Sequence, residues 1–217
     1  MVIAFGNTKG GVGSSTLALL LAQYLSSVPG LHTSLIDLRE NRGLEGLSSR
    51  SGLVEHQPIF DFFACDLSRL DPLMQRLGQS AKGVMVLDLP ALLYDEKLTA
   101  LIAKLNQLII PFSYERATLD ASIYFAAFCR RINPSLSILF IPNRIHHSAI
   151  YEFREEVDTV LRKMGGVSPA ILEHIGFQRI GSLDLPIELC QRVLPVLELI
   201  YHQYLKNNMS NNFSLYP

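Results

Sequence analysis

The sequence predicts an α/β fold built on one doubly wound, mostly parallel sheet with helices on both faces. Its apolar segments are short and continuous rather than alternating with polar residues, which is typical of strands buried on both faces. Segments of helical pattern separate these strands, and this alternation places a helix between successive parallel strands. The chain has 217 residues, of which 48% are hydrophobic, enough to bury the core of a single domain.

The predicted elements alternate along most of the chain. Strands are predicted at residues 1–6, 33–37, 83–90, 107–111 and 136–142. Helices are predicted at residues 17–25, 68–80, 95–105, 115–132, 147–164 and 186–206, and a further short strand around residues 174–180. Residues 207–217 are rich in Asn and Ser and predict a frayed, flexible tail. The predicted domain therefore spans residues 1–206.

The composition narrows the class of protein. A formal net charge of −1 argues against a strongly basic face dedicated to nucleic acid. Cys65, Cys129 and Cys190 lie far apart without metal-binding spacing, which predicts reduced core residues of a cytoplasmic protein. No stretch reaches the length of a membrane span, and the first strand begins at Met1. Neither an integral membrane segment nor a signal peptide is therefore expected.

A glycine-rich loop joins the first predicted strand to the first predicted helix. Its residues are Lys9, Gly10, Gly11, Val12, Gly13, Ser14, Ser15 and Thr16. Glycines let the backbone curl so that several N–H groups point at one spot, and the helix start adds its positive end, which suits a phosphate group. All eight residues are candidate nucleotide-binding residues, with a simple tight turn as the alternative. Ser15 or Thr16 can offer a hydroxyl to Mg²⁺; helix N-capping is the alternative for Ser15.

Several further candidates follow buried strands. Asp37 and Asp88 each end a predicted strand, and Pro111 ends another. In a parallel sheet these positions meet the glycine loop at one edge, the edge outside which ligands bind. Asp88 is therefore a candidate carboxylate beside a magnesium ion, with a turn or capping acid as the alternative.

These segments together resemble the ParA/MinD family, the P-loop ATPases with a deviant Walker A loop in the SIMIBI class. The resemblance covers roughly the first 150 residues and rests on residues 9–16, 37–41, 88–90, 110–112 and 141–144. It implies a P-loop NTPase-like fold that binds ATP and Mg²⁺, forms a homodimer and recruits an unidentified partner protein. The family places plasmids, chromosomes or protein machines in bacterial cells, and its partition members bind DNA non-specifically through clustered basic residues.

The resemblance also assigns roles to individual residues. Lys9 matches the lysine that reaches across the dimer to the partner's phosphates, and Asp37 matches the first acid of the first switch; both are the predicted catalytic residues. Ser15 and Asp88 are the predicted metal site. Asn143 matches the segment that approaches the base, although Pro-Asn is also ordinary turn chemistry.

Departures from the family pattern fall on positions that hydrolysis needs. Ser14 stands where the in-loop lysine is expected, and Arg39 replaces the second acid, which helps to arrange the attacking water. Asn41 replaces a glutamine. Because phosphoryl transfer depends on positioning and on neutralising phosphate charge, we expect weak or no ATP hydrolysis. Arg39 or Arg42 is a candidate source of replacement charge, and Arg39 pairing with Asp37 is the alternative.

Other function classes remain open at the level of sequence. The fold would serve equally as a scaffold that binds no nucleotide and docks a partner protein through its helices. A small-molecule kinase or an ATP-dependent amide-forming enzyme shares this kind of glycine loop, but no motif for a substrate pocket is evident. The leading interpretation is a nucleotide-dependent dimeric switch in partition of a mobile DNA element or in positioning of a cell machine.

Overall fold

A sheet of parallel strands runs through the centre of the molecule. The computed structural model describes residues 1–51, 59–80, 82–91 and 95–206, so the predicted tail at 207–217 lies outside the described residues. The strands are β1 (Val2–Phe5), β2 (His32–Asp37), β3 (Asp61–Ala64), β4 (Gly83–Asp88), β5 (Gln107–Phe112), β6 (Ser137–Pro142) and β7 (Gly166–Val167). Their order is β3-β2-β4-β1-β5-β6-β7, and every pairing is parallel. The predicted α/β fold with a doubly wound sheet is confirmed.

Helices connect the strands and cover both faces of the sheet. They are α1 (Ser14–Ser26), α2 (Gly43–Ser51), α3 (Leu67–Leu77), α4 (Glu96–Ile102), α5 (Arg116–Ile132), α6 (Arg154–Arg162), α7 (Ile175–Gln178) and α8 (Ile187–Ile200), the last continuing into a π-helical turn at Tyr201–Lys206. Within the described ranges, none of the helices is both long enough and apolar enough to cross a membrane.

Side-chain alternation along the strands divides the core in two. In β1, Ile3 and Phe5 join the cluster that packs against α1 and α8. Val2 and Ala4 point the other way, into the cluster formed with α3, α4, α5 and α6. All residues of β1 are buried, which explains why this strand is apolar without alternation. The continuous apolar runs in the sequence therefore reflect burial on both faces.

The structure differs from the sequence prediction in local elements. The strand predicted around residues 174–180 is wrong, because this segment contains the short helix α7. The Nδ1 atom of His174 accepts a hydrogen bond from Gly176 N at 3.1 Å and so begins a helical turn. Parallel pairing instead occurs earlier, at an isolated bridge between Ile145 and Leu172.

Other boundaries also shift. The helix predicted from residue 147 begins only at Arg154, after turns closed by backbone bonds from Ala149 N to His146 O and from Arg154 N to Tyr151 O. Three short elements, α2, β3 and β7, were not predicted. β3 is partly exposed rather than continuously buried, so it lacks the signal that marked the inner strands.

Candidate functional site

The glycine loop between β1 and α1 depends on two glycines in left-handed conformation. Gly11 has φ +81° and Gly13 has φ +92°, a region that other residues adopt only with strain. Gly13 is the N-cap residue of α1, and its carbonyl accepts a hydrogen bond from Leu17 N at 3.0 Å. The loop therefore delivers the chain directly into a helix N-terminus, where the helix dipole favours an anion.

Side chains from the end of β6 hold this loop from one side. Asn143 donates a hydrogen bond from Nδ2 to Val12 O at 2.8 Å, and Arg144 donates one from Nη1 to Gly11 O at 2.8 Å. A Cβ at Gly13 would collide with the side-chain amide of Asn143. Asn143 was predicted either to contact a base or to form a turn; the structure shows it bracing the loop, a third role, through an amide that is largely buried.

A second brace comes from a residue that sequence reasoning missed. Asn7, two residues after β1, donates from Nδ2 to Pro111 O at 2.9 Å and to Ser122 Oγ at 2.7 Å. Its Oδ1 accepts a hydrogen bond from Lys9 N at 3.1 Å. Asn7 thus ties the start of the glycine loop to the end of β5 and to α5. A buried amide directly after an apolar strand is the sequence signal that could have indicated it.

The predicted loop residues differ in their exposure. Lys9, Gly10 and Gly11 are exposed, whereas Val12 is buried and Ser15 and Thr16 are partly buried. Ser14 is buried, and its hydroxyl has no hydrogen-bond partner among the described residues. The exposed Lys9 is therefore free to reach outward, while Ser14 adds no charge to the loop.

Asp88 lies at the carboxyl end of β4, completely buried. Neither of its carboxylate oxygens makes a hydrogen bond to a described residue. Burial raises the pKa of Asp88 to about 7, with Ser15 and Arg39 lowering it and Asp37 raising it further. Ser15 is thus close enough to influence the carboxylate. A buried carboxylate with open lone pairs needs a cation or a proton to offset its lost hydration.

Asp37 is paired directly with Asp88 in the register of β2 and β4, but its surroundings are different. Its Oδ1 accepts a hydrogen bond from Arg39 N at 3.0 Å. Its Oδ2 accepts hydrogen bonds from Leu44 N at 3.0 Å and Glu45 N at 3.4 Å, at the start of α2. The carboxylate of Asp37 therefore organises the segment after β2 through backbone contacts. Its predicted catalytic role stays a prediction.

The basic residues after β2 separate into two environments. Arg39 Nη1 lies 3.7 Å from Asp88 Oδ1, so the guanidinium pairs with Asp88 rather than with Asp37. Arg42 contacts Asp66 at 2.7 Å and Glu45 at 3.5 Å at the surface. Of the two arginines considered as sources of replacement charge, the structure therefore directs only Arg39 toward the site.

A cavity of about 150 Å³ opens beside the glycine loop. It is formed on one side by the loop and the start of α1 and on the other by residues near α7; its lining comprises Gly11, Gly13, Thr16, Leu17, Asn143, Arg144, Ile171, Leu172, Glu173, His174, Phe177 and Gln178. Apolar walls with a few convergent polar groups are typical of small-ligand sites. The cavity adjoins the candidate phosphate loop, so one ligand could occupy both.

Asp88 and Ser15 are the residues that fit a magnesium ion. An oxygen-only donor set is what Mg²⁺ prefers, with phosphate oxygens and water completing the octahedron. The two open carboxylate oxygens of Asp88 are consistent with that ion. Among the described residues, no group of three or more His, Cys, Asp or Glu side chains could hold a metal ion by itself.

Comparison with known proteins identifies the fold. No protein-family model matches the sequence, and no curated protein matches it. Solved structures do match. A protein of Borrelia burgdorferi B31 described as a plasmid partition protein, bound to AMPPNP, shares 19% identity over 93% of this chain and 98% of its own, with a TM-score of 0.71. A ParA family ATPase from Chlorobium tepidum TLS shares 18% identity over 93% and 97% of the two chains, with a TM-score of 0.68.

MinD in the MinC:MinD cell division complex of Aquifex aeolicus shares 15% identity over 93% and 96%, with a TM-score of 0.67. The chain has the ParA/MinD fold. The ParA/MinD resemblance seen in the motifs thus extends over nearly the whole chain, beyond the first 150 residues that carried it in the sequence. In this ParA/MinD fold the glycine loop, Asp37, Asp88 and Asn143 meet at the carboxyl edge of the sheet.

Proposed function

We propose that the protein is a nucleotide-dependent switch of the ParA/MinD kind, which binds ATP with Mg²⁺ and dimerises around it. The observation that carries this proposal is Asp88, fully buried near Ser15, with neither carboxylate oxygen hydrogen-bonded to a residue that the structure describes. A scaffold without ligand gains nothing from such a group, because a buried carboxylate without such hydrogen bonds, with the guanidinium of Arg39 still 3.7 Å away, is only partly compensated for its lost hydration. A bound cation compensates it.

The backbone of the glycine loop and the N-terminus of α1 hold the phosphates in this proposal. The base lies in the adjoining cavity between the loop and α7. Ser15 and Asp88 hold the magnesium ion, which neutralises charge on the phosphate oxygens when it is bound. Lys9, exposed at the start of the loop, reaches the nucleotide of the partner subunit, so that dimerisation depends on nucleotide.

Hydrolysis is weak or absent in this proposal. Ser14 adds no cation inside the loop, and Asp37 has both oxygens engaged by backbone N–H groups. Loss of one preorganised donor in a catalytic site typically costs about 3–4 kcal/mol of transition-state stabilisation. The protein then works by assembly with nucleotide rather than by rapid turnover.

The biological role that we propose is partition of a mobile DNA element or positioning of a cell machine in the cytoplasm, through an unidentified partner protein. Proteins of similar structure include one described as a plasmid partition protein and one solved as a MinC:MinD complex. Where non-specific DNA binding accompanies this role, its affinity should fall steeply with added salt, because phosphate contacts release counterions.

Nucleotide binding is tested by calorimetric titration of the purified chain with ATP and Mg²⁺. The wild type should bind, and Gly13→Ala should not, because the added Cβ collides with Asn143 at φ +92°. Gly46→Ala is the matched control: a Cβ there meets no atom of the described residues within 4 Å, so binding should be unchanged. No heat and no thermal shift with ATP or ADP would overturn the proposal and favour the scaffold alternative.

Dimerisation is tested by light scattering with and without ATP and Mg²⁺. We expect a monomer without nucleotide and a dimer with it, and Lys9→Ala should bind nucleotide yet remain monomeric. Equal masses under both conditions would contradict the switch. A turnover as fast as that of a competent ATPase would contradict the proposed weak hydrolysis, and so would turnover that survives Lys9→Ala.

A further inference from the structure

The cationic side chains near the glycine loop, at the carboxyl edge of the sheet, have different environments. Arg42 is neutralised by surface acids, and Arg144 is bound to the outside of the loop through Gly11 O and to Glu173. Lys9 is exposed. Arg39 differs from all of these, because only 20% of its side chain is exposed and its guanidinium points toward the buried Asp88.

The contact between Arg39 and Asp88 is electrostatic rather than a close hydrogen bond. The distance from Nη1 to Oδ1 is 3.7 Å, longer than a good N–H···O bond. Neither carboxylate oxygen of Asp88 is therefore tied to the guanidinium by a hydrogen bond. Because the carboxylate has no exposure to solvent, a nearby positive charge acts on it with little screening.

The backbone of the segment after β2 is built to hold Arg39 in this place. Asp37 Oδ1 accepts a hydrogen bond from Arg39 N at 3.0 Å, and Leu38 N donates to Asp88 O at 3.0 Å. Asp37 Oδ2 then fixes the start of α2. The backbone from which the Arg39 side chain extends is thus held by contacts on both sides of residue 39.

We propose that Arg39 is the resident counter-ion of Asp88 and that it competes with Mg²⁺ for this carboxylate. Asp88 and Ser15 can receive a divalent cation only when the guanidinium of Arg39 moves away, because the two cations repel each other across one carboxylate. Metal binding therefore displaces the guanidinium of Arg39 from its place beside Asp88. The role of the metal in nucleotide binding rests on the proposed function; the competition at Asp88 does not.

The competition is measured with Mn²⁺ alone, using electron paramagnetic resonance of free Mn²⁺ in solutions of the full chain. Close charge pairs have coupling energies that correspond to about tenfold or more in affinity, so Arg39→Gln should bind Mn²⁺ at least about tenfold more tightly than the wild type. Arg39→Lys keeps the charge and should bind Mn²⁺ as the wild type does. Arg42→Gln, which removes a surface cation, should also match the wild type.

Two results with Mn²⁺ would overturn the inference. One is Arg39→Gln binding no tighter than the wild type. The other is a double variant, Arg39→Gln with Asp88→Asn, that binds Mn²⁺ as tightly as Arg39→Gln alone. The Mn²⁺ bound by Arg39→Gln would then not depend on Asp88. Circular dichroism confirms folding, and Arg39→Met, of similar side-chain length, replaces the glutamine variant where that variant does not fold.

A second experiment, with nucleotide present, distinguishes this inference from the proposed function. The Mg²⁺ concentration at half-maximal binding of a fluorescent ATP analogue should fall about tenfold in Arg39→Gln, again from the coupling of close charges. Nucleotide binding with an unchanged Mg²⁺ midpoint would overturn the competition and leave the proposed function standing. Absence of nucleotide binding in every variant would overturn the proposed function, and the Mn²⁺ comparison would still decide the competition.

Discussion

Asp88 and Arg39 illustrate how single residues control this site. Burial of Asp88 raises the pKa of its carboxyl to about 7, and the influence of Ser15 and Arg39 only partly offsets the lost hydration. In the absence of a metal ion, the folded chain therefore holds a proton on Asp88 at pH values where an unfolded chain has released it. Folding and protonation are linked at this one position.

Substitution of Asp88 should change how stability depends on pH. The folded pKa of Asp88 lies above the ordinary value of 3.8. The contribution of Asp88 to stability is therefore fully present below about pH 4 and decreases as the pH rises toward about 7. Above about pH 7 this contribution does not return. The loss amounts to at most about 4 kcal/mol. In Asp88→Asn the decrease in the free energy of unfolding from pH 5 to pH 8 should be smaller.

This is checked by urea unfolding at both pH values without nucleotide or metal. Asp120→Asn is the control, since Asp120 is an exposed residue paired only loosely with Arg116, and it should keep the wild-type pH dependence. An unchanged pH dependence in Asp88→Asn would show that Asp88 does not titrate near neutrality.

At the scale of elements, the segment from β2 to α2 depends on one side chain. Asp37 ends β2 and accepts hydrogen bonds from Arg39, Leu44 and Glu45. A carboxylate at a helix start satisfies N–H groups that have no partner inside the helix and interacts favourably with the helix dipole. The orientation of α2 and the position of Arg39 are therefore coupled through Asp37.

Asp37→Ala should loosen α2 and destabilise the fold. We expect a loss of about 1–3 kcal/mol in the free energy of unfolding, the usual range for a charged cap with buried hydrogen bonds. Hydrogen exchange over residues 43–51 should become faster. Asp95→Ala is the control, because Asp95 caps α4 through Lys97 N and Leu98 N; it should leave exchange over residues 43–51 unchanged. Equal exchange in Asp37→Ala and the wild type would contradict the coupling.

At the scale of the whole molecule, the candidate site rests on a core that is continuous with the last helix. α1 carries the glycine loop at its start, and α1 and α8 both pack into the same cluster on one face of the sheet. Gln23 in α1 also exchanges two hydrogen bonds with the backbone of Leu185, both 3.1 Å long. The C-terminal part of the chain thus supports the helix whose N-terminus faces the ligand.

Truncation inside this shared core should destabilise the whole domain. Leu197 in α8 is buried, and Leu197→Ala should reduce the free energy of unfolding by about 2–5 kcal/mol, because it removes apolar contacts and leaves a cavity. Ile187→Ala, at an exposed position at the start of the same helix, should change it by no more than about 0.5 kcal/mol. Chemical unfolding of both variants measures these changes. An equal loss of the free energy of unfolding in the two variants would show that α8 does not contribute to the core.

Much of the fold follows from local sequence. Runs such as Val2–Phe5 and Gly83–Asp88 are apolar because both of their faces are covered, and that pattern predicts inner strands directly. The short edge strand Asp61–Ala64 carries no such signal, since it is only partly buried. The segment that forms α7 was predicted as a strand because its conformation depends on a side-chain hydrogen bond, which Gly176 N donates to the imidazole of His174.

The sequence by itself determined the layered α/β fold and the glycine loop, because hydrophobic continuity and glycine conformational freedom act between neighbours in the chain. Only the tertiary structure decided that Arg39 faces Asp88, that Asn7 and Asn143 brace the loop, and that Asp37 caps α2. These contacts join residues from different strands and loops. Which side chains become neighbours depends on the order of the strands in the sheet. The sequence pattern does not give the distances between residues that are far apart in the chain.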